Sequence, residues 1–150
     1  MYWINDWNDI IRHVIFSDKT LKDLMKIPDG TSIIDFIDRY FIRAGYTNKL
    51  LSNEAVRVVY GTTSSTSDVD GVTSNTMNFD IYVKIENLHD VGTDRLVMRT
   101  QLIGQRLLYL LTKARYNGVY RFYDPIECDM GTSAIGYARY RVSVSYTRSY

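Results

Sequence analysis

Few side chains in this sequence belong to the types that make or break bonds. There is one cysteine, Cys128, and there are two histidines, His13 and His89, in 150 residues. One cysteine forbids an internal disulfide, and a reducing compartment suits it. Cys128 stands between Glu127 and Asp129, whose charges oppose a reactive thiolate. Two histidines cannot build a histidine-rich metal site. His89 follows a run of strand character and reads as a solvated loop residue. The stretch Gly131-Thr132-Ser133-Ala134-Ile135-Gly136 places a serine between glycines, but a nucleophile elbow needs the second glycine one residue earlier. Asp68-Val69-Asp70-Gly71 has the start of a calcium loop, without the third ligand or the closing glutamate. No phosphate-binding or dinucleotide-binding glycine motif occurs. Asp35 and Asp38, three apart, read as a solvated helix face. An enzyme is therefore not expected, and no catalytic residue, metal or cofactor is assigned.

The bulk properties set the frame around these residues. A chain of 17.4 kDa, 45% hydrophobic and 23% charged, suits a single domain over 1–150 with one core. A net charge of +1 argues against a polyanion-binding surface spread over the whole molecule. Residues 1–16 carry Asp6 and Asp9 and no basic leader, so no secretory signal is expected. No uncharged apolar run approaches the roughly 20 residues that span a bilayer, and a soluble protein without a membrane partner is expected.

Periodicity places the elements. Trp3, Ile4, Trp7, Ile10, Ile11, Val14 and Ile15 fall on one helical stripe. A short second helix is expected from Asp18 to Lys26, burying Leu21, Leu24 and Met25, and broken by Pro28-Asp29-Gly30. Ser32 with Asp35 resembles a capping box that opens a third helix, with Ile33, Ile34, Ile37, Tyr40 and Phe41 as its buried side and Gly45 as its cap. After this helical segment, 1–45, the period changes. The core over 55–150 reads β-β-α-β-β. The strands are Ala55 to Tyr60, Met77 to Glu86, Val119 to Ile126 and Ile135 to Thr147, and the helix covers 94–116 from an Asp94 cap to Asn117-Gly118. Residues 61–76 are small and polar, a long loop between the first two strands. Gly104 lies on the apolar face of the long helix and points to close approach of helix and sheet. The expected fold class is α+β, N-terminal helices followed by β-β-α-β-β, with one sheet and helices packed on one face.

Tyrosine is the conspicuous residue: 13 Tyr against 5 Phe and 2 Trp. Its apolar body and polar tip suit interfaces. In the last third, tyrosines interleave with Arg115, Arg121, Arg139, Arg141 and Arg148, and Lys113 is the one lysine. Met98, Leu102 and Tyr109 form a second apolar patch on the long helix. Either the N-terminal helical segment or a neighbouring subunit must cover it.

This layout resembles the tail-terminator and related neck proteins of tailed bacteriophages. The features are the strands Ala55–Tyr60 and Met77–Glu86 around a polar loop, the helix opening Asp94-Arg95-Leu96, the core LIGQRLLYLL over 102–111, and the finish YARYRVSVSYTRSY over 137–150. The resemblance implies a virion protein made in the host cytoplasm. It would form a homo-oligomeric ring, commonly of six subunits, that stops tube growth, joins the tail tube to the neck connector and lets DNA pass without sequence recognition. A ring needs two different complementary patches on each subunit. The candidates for subunit contact are Met98, Leu102, Tyr109, Tyr137, Arg139, Tyr140, Arg141 and Tyr150. The candidates for meeting a partner ring are Thr62, Ser65, Asp68, Asp70, Gly71 and Ser74, and Asp68, Asp70 and Asp80 suit a lumen or its rim. Other readings are another head–tail connector, head-closure or tail-completion protein, a small single-stranded nucleic-acid-binding domain with an aromatic and basic sheet face, and a hydrolase of unrecognised type.

Overall fold

The structure is a computed structural model, and it describes residues 9–44, 54–63, 73–89, 91, 97–113, 120–132 and 136–148. The chain begins, among these residues, with a helical turn that widens over Ile11–Ile15, where the Phe16 N–H reaches back five residues to the Ile11 carbonyl at 2.7 Å. Ile10, Ile11 and Ile15 are buried while Arg12 and His13 face out, as the expected stripe requires. Trp3, Ile4 and Trp7 of that stripe lie outside the described residues.

Helix α1, Lys19–Leu24, is opened by Asp18, whose carboxylate accepts from the Leu21 N–H at 2.8 Å. It ends in the turn at Pro28-Asp29-Gly30, where Gly30 takes a φ of 82° that favours glycine. Ser32 caps the next helix as expected, accepting from the Asp35 N–H at 3.1 Å. This helix, α2, is a single turn, Ile33–Asp35, and then widens over Phe36–Tyr40. The widening changes which side chains face inward. Phe36, absent from the expected buried side, is fully buried, whereas Ile34 is 65% and Ile37 41% exposed.

Phe41 corrects the expected order, because Phe41–Arg43 is a strand, β1, and not helix. The remaining strands are β2 (Val56–Thr63), β3 (Thr73–Lys84), β4 (Tyr120–Thr132) and β5 (Tyr137–Arg148), in the spatial order β1-β2-β3-β5-β4. β1 runs parallel to β2, and the other pairs are antiparallel. Between β3 and β4 lie a short 3-10 turn, Ile85–Asn87, and helix α3, Arg99–Lys113. Ile85, expected as the last inward residue of its strand, sits in that turn and is exposed. Gly45, the Asp94 cap, Leu96, Ala114 and Asn117-Gly118 lie outside the described residues.

Register explains the core. Val58 faces Ile81, Tyr60 faces Phe79, Phe79 faces Val142 and Ile81 faces Tyr140, so inward residues line up in rows across the sheet. The described helices pack on that face, giving the α+β architecture expected. Phe41 sits within 6 Å of the rings of Phe36, Tyr60 and Phe79. α3 lies over β3, β5 and β4 with Ile103, Leu107 and Leu111 fully buried. Gly104 fulfils its expectation: a methyl there would meet Val142 Cγ1 at 2.7 Å and Tyr140 Cε1 at 3.2 Å.

Candidate interaction surfaces

The outward side of α3 is braced by the N-terminal segment. α3 packs against α1 and the Ile11–Ile15 turn. Arg106 forms a two-pronged ion pair with Asp18, Nε to Oδ2 at 2.9 Å and Nη2 to Oδ1 at 2.6 Å. The Arg106 guanidinium holds the Asp18 carboxyl below the usual carboxylate range, the α1 cap helps, and burial opposes both. The same guanidinium lies 5.0 Å over the Tyr109 ring. Met98 and Leu102 are half-buried, and Tyr109 is 52% exposed. The start of α3 is held by Arg99, a buried residue that donates to the Asn87 carbonyl at 3.0 Å and the Leu24 carbonyl at 2.5 Å. Sequence reading missed Arg99, since both acceptors are backbone groups outside its helix.

Opposite the helices, the sheet carries polar rows. In one row Asp80 of β3 receives a fork from Arg141 of β5 at 2.6 and 3.1 Å. In the next, Asn78 Oδ1 accepts from Ser143 Oγ at 2.6 Å. In a third, Arg57, Tyr82 and Arg139 stand side by side on β2, β3 and β5. Tyr82 meets Tyr137 edge-on at 6.5 Å, and Arg57 lies 4.9 Å over the Tyr137 ring. Asp80, expected to suit a lumen, is thus engaged on this outer face.

Several sequence-derived candidates need relocation. Tyr137 and Tyr140 are buried within the chain, and neither offers a surface. Tyr137 donates to the Glu54 carbonyl at 3.0 Å. Tyr140 lies on the helix-bearing face under Gly104, and burial followed by the nearby Glu127 carboxylate pushes its phenol up. Tyr146 points the same way and is also buried. The alternation that suggested an aromatic surface is the alternation of a core strand. Arg139 and Arg141 do lie on the outer face and are half-buried. Thr62 and Ser74, assigned to the loop, are ladder positions opposite Met77 and Thr147. Ser65, Asp68, Asp70, Gly71 and Tyr150 lie outside the described residues.

β4 forms one edge of the sheet and runs to Thr132, well past the expected end at Ile126. It is interrupted after Tyr123, where Asp124 adopts a φ of 52° ahead of Pro125, and again between Asp129 and Gly131. Ile126 is 64% exposed, and Asp124, Glu127, Cys128 and Asp129 are exposed beside it. His13 and His89 are exposed too. Among the described residues no group of three or more His, Cys, Asp or Glu could hold a metal ion, and no described helix is long and apolar enough to cross a membrane. A shallow depression is lined by Lys19, Lys22, Asp23 and the 27–31 turn. No protein-family profile matches this chain, and no curated protein sequence matches it.

Proposed function

We propose that the protein is a non-enzymatic virion component of a tailed bacteriophage, a ring-forming tail terminator at the head–tail junction. In this role it contacts copies of itself, the tail tube and the neck connector, and DNA passes through the ring without sequence recognition. The observation that supports this most is the shape of the sheet. β3 and β5 have 12 residues each and β4 has 13, about 40 Å of strand at 3.3 Å per residue. α3 has 15 residues, about 22 Å of helix. These strands are longer than helix α3, which lies across them. The described helices pack on one face of the sheet, the other face carries polar rows, and a long edge strand lies at one side. These are two distinct surfaces of the kind a head-to-tail ring requires.

A head-closure or tail-completion component would use the same surfaces, and the test separates them. Particles assembled without this chain should carry overlong, unjoined tails. Tails of normal length with detached heads would move the protein to head closure. Gold-labelled antibody against the chain should decorate the collar between head and tail, and purified particles without label would overturn a virion role. The nucleic-acid reading draws less support: Tyr137, Tyr140 and Tyr146 are buried, and Arg141 is already paired with Asp80.

A further inference from the structure

The outer face of the sheet holds guanidinium groups that the described residues do not neutralise. Arg57 is 2% exposed, yet its Nε and Nη1 have no hydrogen-bond partner, and its described contact is the face of the Tyr137 ring. Arg139, beyond Tyr82 in the same row, also has an orphan Nε, and its Nη2 makes a long bond of 3.4 Å to the Met130 carbonyl. A buried guanidinium without an anion is strongly unfavourable. Arg57 lies too deep to be touched. Its charge is little screened by water there, and it raises the positive potential above Tyr82 and Arg139.

The complementary charge sits elsewhere on the same chain. Edge strand β4 exposes Asp124, Glu127 and Asp129. Glu127 stands opposite Val142 and Asp129 opposite Tyr140, which places them on the helix-bearing side of the sheet, while Arg139 and Arg141 belong to the other side. Among the described residues no ion pair joins the two sets. We propose that the acidic edge strand β4 of one copy docks on the outer sheet face of the next copy at Tyr82 and Arg139, beside the buried Arg57. The inference rests on the ring reading and names its contact. Edge-on-face docking is heterologous, so each copy turns relative to the last and the series can close. Edge-to-edge pairing of two β4 strands would set the acidic residues against their own kind, and Pro125 with the two register breaks interrupts such a ladder.

Charge reversal tests the contact. One variant carries Arg139→Glu, the other Glu127→Lys with Asp129→Lys, and each is followed by sedimentation velocity at high concentration and low ionic strength, with circular dichroism to verify folding. Each variant alone should lose the self-association of the wild-type chain. An equimolar mixture should regain it, because the reversed edge of one now fits the reversed face of the other, and added salt should weaken it. Folded variants that associate like wild type, a mixture of folded variants that stays dissociated, or a wild-type chain that remains monomeric would each overturn the contact. Should a reversal unfold the chain, Arg139→Gln and Asp129→Asn replace it, with weakened association expected and unchanged association overturning. Silent reversals with antibody label still at the particle collar would remove this contact and leave the virion role standing. Particles without label would remove that role whatever the reversals do.

Discussion

Asp18 performs two tasks with one carboxylate, capping α1 and gripping Arg106. Alanine removes both, so Asp18→Ala should destabilise the protein by about 2 kcal/mol, the sum of a lost cap and a broken, partly shielded pair. Asn keeps a cap acceptor and loses the charge, so Asp18→Asn should cost about half as much. The pH dependence follows from the direction of the shift. The carboxyl is held below its unfolded value, so its contribution is fully present above the unfolded pKa, near 4, and is lost as pH falls through the lower folded value. Urea unfolding from pH 6 down to pH 2 should show a shallower acid decline for Asp18→Asn than for wild type. Parallel curves would mean that the pair adds no stability. The Asp18–Arg106 pair spans 88 residues of chain and was not legible beforehand. The Ser32 cap spans three and was. Local geometry reads directly from spacing, whereas a contact between distant residues needs the packing first.

At the level of elements, legibility followed length and regularity. β3, β5 and α3 repeat their pattern over many residues and were placed from it. β1 is three residues long and cannot display a period. β4 was expected to end at Ile126 and runs on to Thr132; the register break around Pro125 absorbs the missing donor and the strand resumes. The third expected helix failed differently. Its inward residues were chosen for a uniform α-helical turn, and the i to i+5 bonding over Phe36–Tyr40 rotates the register so that Phe36 faces Phe16 and Phe41. Two substitutions one residue apart test this. Phe36→Ala opens a cavity in a full core and should cost about 3–5 kcal/mol. Ile37→Ser changes an exposed position and should stay within about 0.5 kcal/mol of wild type. Chemical denaturation decides it, and equal losses at both positions would restore the uniform helix.

For the whole molecule, the question is which parts hold the fold and which parts reach outward. The hairpin of β2 and β3 is laddered from Val56↔Val83 through Thr63↔Thr76, and β3 continues its pairing with β5 to Thr73↔Arg148. The ladder therefore includes residues 61–63 and 73–76, whose composition reads as loop. The rest of the expected loop, 64–72, lies outside the described residues. Replacing 64–72 by Gly-Ser of equal length keeps every ladder pair and leaves loop closure nearly unchanged, so the unfolding free energy should shift by less than about 1 kcal/mol. If the hairpin of β2 and β3 serves to bring 64–72 to the tail tube or neck, the same replacement should abolish joining of tails to heads, counted by electron microscopy of lysates. A normal yield of joined, infectious particles from a chain of wild-type stability would leave the hairpin without that purpose. The separation of the two readouts is what makes the test informative: a change confined to joining can arise only from what 64–72 touches beyond its own chain.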